Sequence, residues 1–398
     1  MKRSTPVLGV ISLSLMGLVD GARADEGDAF NFHIGQGFRY ESNLYRLADE
    51  KTAPEGKQYD TVSETSVGMK FDRIYGRQHL LADVNLLSER FSVHSNLNHD
   101  SPDAKFAWEW QLGNRWSGDL SHAYRESLLG FDEVSGTTQS LNTYVRSHAS
   151  ADFWWHPSWA TGAGFTRATS RFDDPRQSSG EFDTDTVDVN LTYRPATGNR
   201  AVLTLRDTDG LYPNRPAVAG SIRDYRQREV RLAGEWQITG ATHLSGFIGR
   251  TRVEYRLAPE RDFSGTIGRI GVLWNATAKS SLALSVRREI GAQQDVAANF
   301  AVTEAVTLTP RWAISDKVAV GAGLEWRRRD FRGDPELGAV STRPRPTDRS
   351  YRYGLFAEYR PMRALSFLLN VQHQARQGSD SARGYSANVV DFVANFEF

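Results

Sequence analysis

The chain contains no cysteine in its 398 residues. That removes disulfides, thiolate metal sites and thiol nucleophiles together. It also has little continuous hydrophobicity: after Val19 nothing approaches the run of about 20 apolar residues that a membrane-crossing helix needs. Only 39% of residues are hydrophobic and the mean hydropathy is −0.50. Read by hydropathy alone, the chain is soluble. A transmembrane barrel escapes that test, because its strands alternate lipid-facing apolar with lumen-facing polar side chains. Lysine is scarce too, with seven of the 48 cations against 41 arginines. A GC-rich genome would explain that bias; so would a need for arginine's planar fork, which grips carboxylate or phosphate. The length would suit two or three soluble domains, yet no linker, low-complexity tract or charge run divides the chain.

The first residues carry an address. Lys2 and Arg3 precede an apolar run from Pro6 to Val19, then Ala22-Arg23-Ala24. A charged start, a short apolar stretch and an A-x-A site form a secretory signal peptide, expected to cover residues 1–24 and to leave 25–398 as one mature domain.

Past that point the dominant signal has a period of two. Phe30, Phe32, Ile34, Phe38 and Tyr40 alternate with Asn31, His33, Gly35, Gly37 and Arg39. Phe106, Trp108, Trp110 and Leu112 alternate with Lys105, Ala107, Glu109 and Gln111. Successive side chains of a strand point oppositely, so each run puts its apolar residues on one face. The pattern predicts 18 strands, with 16 to 20 compatible. They begin near Phe30, Thr61, His79, Ala104, Arg115, Leu141, Trp159, Thr186, Ala201, Glu229, His243, Ser264, Ser281, Phe300, Lys317, Tyr351, Ala364 and Ser386. Short links, such as Gly113-Asn114 and His156–Ser158, alternate with long polar ones, such as Glu41–Asp60 and Asp207–Asp224. Bacterial outer-membrane barrels show that asymmetry, with tight periplasmic turns and long outer loops. The fold expected is an all-β, transmembrane, antiparallel up-and-down barrel in the outer membrane, both termini periplasmic.

The chain ends on an amphipathic strand in which Phe392, Phe396 and Phe398 alternate with Asp391, Asn395 and Glu397. Such an end is read as an assembly signal for the barrel-assembly machinery. Trp110, Trp116, Trp154, Trp155, Trp159, Trp236, Trp274 and Tyr359 flank the short links and suit an interfacial girdle. Outer-membrane lipid and lipopolysaccharide are then obligatory neighbours; nothing points to nucleic acid.

If the apolar positions face lipid, the opposite set lines a lumen. Its cations include Arg39, Arg125, Arg146, Arg206, Arg231, Arg250, Arg252, Arg269, Arg287, Arg327 and Arg352, with Arg115 beside them. Its acids include Glu64, Asp83, Glu89, Glu109, Asp119, Asp152, Asp188, Glu229, Glu235, Glu325 and Glu358. These charges either neutralise one another in a hydrated lumen or give an arginine track for an anionic solute. Catalysis finds no motif: the histidines are scattered, and there is no HExxH, P-loop or EF-hand pattern, so neither enzyme, metal nor cofactor is expected. Asp183, Asp185 and Asp188 are a candidate cation site, though such acids are more often simply exposed.

Three stretches add a resemblance: Phe30–Leu47 (FNFHIGQGFRYESNLYRL), Gly76–Phe91 (GRQHLLADVNLLSERF) and Phe263–Gly291 (FSGTIGRIGVLWNATAKSSLALSVRREIG). They resemble the EpsL-like outer-membrane proteins of exosortase-associated exopolysaccharide operons, and more broadly the alginate-exporter type of barrel. The resemblance implies passive conduction of an exopolysaccharide, anionic if the arginines meet it, from periplasm to cell surface. It implies a separate periplasmic scaffold where one is needed. The competing functions are a general or sugar-selective uptake porin and a barrel enzyme acting on lipid or polymer.

Overall fold

The computed structural model describes residues 29–48, 56–131, 137–218, 222–259, 262–292, 300–332, 347–379 and 384–398. The signal-peptide reading and the middle of the Arg-rich stretch between Arg327 and Arg349 lie outside them.

Eighteen strands follow in order. The first six are β1 (Phe30–Glu41), β2 (Asp60–Tyr75), β3 (Gln78–Phe91), β4 (His99–Leu112), β5 (Trp116–Leu128) and β6 (Leu141–His156). Then come β7 (Trp159–Phe172), β8 (Phe182–Tyr193), β9 (Arg200–Leu211), β10 (Asp224–Thr239), β11 (Thr242–Tyr255) and β12 (Phe263–Asn275). The last are β13 (Ser280–Ala292), β14 (Phe300–Ala313), β15 (Val318–Arg332), β16 (Thr347–Met362), β17 (Leu365–Gly378) and β18 (Tyr385–Glu397). Each pairs antiparallel with the next, and β18 pairs with β1 from His33↔Glu397 to Glu41↔Val389. The ring is closed, so no backbone edge meets lipid. With strands ~4.8 Å apart and tilted by about 40°, it encloses a circle on the order of 18 Å in backbone radius, wide enough for an aqueous channel.

All expected strands are present. Two begin five residues before the periodicity does, at His99 and Asp224. Those outer ends, His99-Asp100-Ser101-Pro102 and Asp224-Tyr225-Arg226, stand above the lipid, where one apolar face is no longer required. Short and long connections alternate throughout. The β2–β3 link is only Gly76-Arg77, with Gly76 at φ +61°, the left-handed start that two-residue hairpins favour.

Paired residues share a face, so the register carries inside and outside around the whole wall. Outside lie Ile248, Leu355 and Val187, which are 61%, 69% and 55% exposed. A soluble protein would bury such residues; lipid contact explains them. Trp116, Trp155, Trp236, Trp274, Trp312 and Tyr359 form the exposed girdle at the short-turn rim. Trp154 departs from the girdle expectation. It turns inward, its Nε1 donating to Ser117 Oγ at 2.9 Å and the Arg194 guanidinium lying 4.3 Å from its ring.

At the long-loop rim the connections fold over the inner face of the wall. Leu44, Tyr45 and Leu97 pack on the inward Val62 and Phe91. Ala258 packs on Val253 and Tyr255, with Ile222, Tyr225 and Phe263 around them. Asp60 ties the first cluster. Fully buried, it accepts from the backbone N–H of Thr61 at 2.7 Å, Ser92 and Val93 at 3.0 Å and His94 at 2.9 Å, and lies 2.9 Å from His94 Nδ1.

Candidate functional site: the charged lumen

Inward positions come from strand parity. On β2–β8 they include Glu64, Asp83, Glu89, Asp103, Glu109, Asp119, Asp152 and Asp188, against Lys70, Lys105, Arg125 and Arg146. On β9–β17 they include Arg206, Arg231, Arg269, Arg287, Arg311, Arg327, Arg329, Arg352 and Arg376, against Glu229, Glu235, Glu289, Glu325, Asp348 and Glu358. Acids outnumber bases on one half of the wall, and bases outnumber acids on the other. The lumen is therefore bounded by an acidic and a basic side. The segregation follows from the up-and-down strand order, which carries separation along the chain into opposite halves of the ring.

Most of these charges are paired. Arg39 lies against Glu41 at 2.9 Å, Glu64 at 2.5 Å and Glu89 at 2.8 Å, at the seam where β1 meets its neighbours. Arg125 donates to Asp103 at 2.6 Å, Arg231 sits 2.8 Å from Glu229, and Arg206 is 3.6 Å from the same carboxylate. On the basic side Arg311 meets Glu358 at 3.1 Å, while Asp348 lies between Arg329 and Arg376.

One row is different. The register aligns Arg269 with Arg287, Arg287 with Ala305, Ala305 with Arg327, Arg327 with Ser350 and Ser350 with Arg376. This is an arc of arginines along one cross-strand row of the wall. Within it Arg269 and Arg287 face each other directly, a like-charged cross-strand pair that is unfavourable without an anion nearby. Neither has a carboxylate partner among the described residues, whereas Arg327 has Glu325 at 3.9 Å. Arg269 is exposed although it points inward, and the Lys105 side chain on the opposite side is 46% exposed. Water reaches both, so the charges face an aqueous space rather than a packed interior.

Of the expected lumen arginines, Arg39, Arg125, Arg146, Arg206, Arg231, Arg269, Arg287, Arg327 and Arg352 face inward. Arg250 and Arg252 do not. Arg250 pairs with the lipid-facing Val230, and Arg252 with Arg228, on the outside of the barrel. The alternation misleads there because Phe247 and Val253 face inward, Val253 beneath the folded loop, while the outer face above the lipid turns polar. Arg115 belongs to the β4–β5 turn. The expected acids all face inward. Asp183 and Asp185 point outward, 2.6 Å from Arg171 and 3.8 Å from Arg167, whereas Asp188 points inward, so the three cannot share a cation.

No family model and no curated protein matches the chain. Solved structures do. Pseudomonas aeruginosa OccK2 (OpdF), in complex with glucuronate, aligns over 93% of this chain and 98% of its own at 10% identity, with a TM-score of 0.50. P. aeruginosa OpdK with vanillate (11% identity, TM-score 0.48) and Acinetobacter baumannii OccAB3 (8%, 0.48) cover the same 93% of this chain and 98% of theirs. The likeness is one of fold. The protein is an outer-membrane β-barrel. Its closed wall, lipid-facing band and alternating connections all belong to that setting, with the short-turn rim and both strand termini on the periplasmic side.

Proposed function

We propose that this barrel is a passive uptake porin for small hydrophilic solutes, with a preference for those bearing a carboxylate or other anionic group. The observation that carries the reading is the Arg269–Arg287 pair, facing water and lacking a carboxylate partner among the described residues. It sits on a basic wall that faces an acidic one. A dipolar or anionic solute entering such a lumen turns its negative end to the arc and its hydroxyls to the polar residues of either side. No step of bond making is involved. Solutes cross down their gradient while the loops folded over the inner face narrow the outer mouth.

Liposome swelling with the purified barrel tests this, with glucose, glucuronate and glucosamine as probes of similar size. Glucuronate is chosen because OccK2, a barrel of the same fold, was solved with it. Glucuronate should enter faster than glucosamine, and Arg269→Ser with Arg287→Ser should reduce or reverse the order. Equal entry of all three, unchanged by the double substitution, would remove the arc from the mechanism. The export reading makes a different claim: deleting the gene would lower secreted polysaccharide and leave small-solute entry untouched.

A further inference from the structure

The arginines displaced from the lumen lie together. Arg228 on β10 faces Arg252 on β11, a second like-charged cross-strand pair, and Arg250 stands next to them. All three point outward, directly above Val230 and Ile248, which are 51% and 61% exposed and mark the top of the lipid-facing band. Local acids fall one short of them: among the described residues of this outer face Asp207, Asp209 and Glu254 stand against Arg226, Arg228, Arg250 and Arg252. Glu254 is shared by Arg252 at 2.9 Å and Arg228 at 3.9 Å. Asp207, 3.8 Å from Arg228, is already held through both oxygens by Arg226 at 2.8 and 2.6 Å. Arg250 has no carboxylate partner among the described residues; its Nη2 reaches Ser264 Oγ at 3.4 Å. On the far side of Ser264 and Thr266, Arg288 is paired with Glu304 and donates to the Thr266 carbonyl at 3.1 Å, so it adds a donor but no excess charge. Excess cationic charge at the boundary between apolar wall and outer rim, with hydroxyls beside it, matches a phosphorylated headgroup whose acyl chains lie along the band below.

We propose that Arg228, Arg250 and Arg252 form a seat for the phosphate of an outer-leaflet glycolipid, lipopolysaccharide, on the outside of β10–β12. The phosphate sits between the facing guanidiniums, relieving their repulsion with charge-assisted hydrogen bonds. The seat is outside the channel, so it stands whether or not the pore conducts as proposed above.

The test is titration of the purified, folded barrel with lipopolysaccharide in detergent, read by native mass spectrometry. Each arginine at an anionic lipid surface changes affinity by roughly fivefold, so Arg228→Gln, Arg250→Gln and Arg252→Gln together should weaken binding about a hundredfold. The same lipid stripped of its phosphates should bind wild type no better than the triple variant. Inorganic phosphate at millimolar concentration should leave lipid binding unmoved. Equal binding by triple variant and wild type would overturn the proposal, as would tight binding of the dephosphorylated lipid. Displacement by inorganic phosphate would assign the site to a free anion instead. Should the triple variant lose the gel-mobility shift of a folded barrel, Arg250→Gln alone, which breaks no ion pair among the described residues, should still give the roughly fivefold loss. No change in that variant would also refute the seat.

Discussion

Asp60 offers the sharpest mechanical test, because one carboxylate holds a loop by its backbone. Replacing it with Ala strands the N–H groups of Val93 and His94, which it now accepts at 3.0 and 2.9 Å in a buried site, while the Ser92 N–H keeps the Thr61 carbonyl at 3.1 Å. A buried donor left without a partner costs about 1–3 kcal/mol. Two of them destabilise the closed loop by on the order of 2 kcal/mol at the low end. Opening the loop returns those groups to water, so the penalty falls on the closed state and the open population rises at least about thirtyfold. The assay is limited chymotrypsin digestion, followed at Leu97, which is 0% exposed in the closed loop. Where opening and closing are fast, cleavage tracks that population. The barrel strands should stay resistant and the gel-mobility shift intact. Asp60→Asn keeps one acceptor oxygen and should fall between the two. If Asp60→Ala is cut within about threefold of the wild-type rate, the carboxylate is not what holds the loop.

Other predictions concern the wall. Unboiled protein should run faster on a gel than boiled protein, since a closed ring has no edge from which to unfold; identical mobilities would contradict closure. Deleting Phe396–Phe398, or changing Phe398 to Asp, should abolish assembly, because Phe398 exchanges backbone hydrogen bonds with Phe32 at 2.9 and 2.8 Å and stacks on its ring at 5.9 Å; normal outer-membrane levels would show the terminus to be dispensable. Changing Arg269, Arg287 and Arg327 to Ser should shift reversal potentials in planar bilayers towards cations, and Arg250 with Arg252 to Ser should not. The range of that effect is about 8 Å at physiological salt, so a shift from the outward pair would mean that the faces are wrongly assigned.

Strand number, connectivity and most facings could be read from period-two runs because lipid imposes them: each strand must show apolar side chains on one side for the bilayer's depth. The reading failed where lipid stops. At His99–Pro102 and Asp224–Arg226 nothing requires alternation, so the strands run on unseen. At Arg250 and Arg252 the usual pattern inverts, since Val253 is covered by a loop within the mouth. The two charged sides of the lumen lie beyond the period-two signal, which reports only inside and outside. Asp119 and Arg287 are far apart in the chain, and the up-and-down strand order carries that distance into opposite halves of one ring. Asp60 gave no signal either, because its partners are backbone amides that every sequence possesses.

The seam between β1 and β18 has a consequence for how the chain can be cut. The first strand begins and the last strand ends at the same rim, the one that carries the short turns. Joining Glu397 to Phe30 by a tight turn and opening the chain instead at Gly113 or Gly76 would reproduce the same wall with the same neighbours. Such circular permutants should hold one equilibrium structure in common. They would differ in which strand is made last, and so in whether the chain still ends on an aromatic residue when assembly begins.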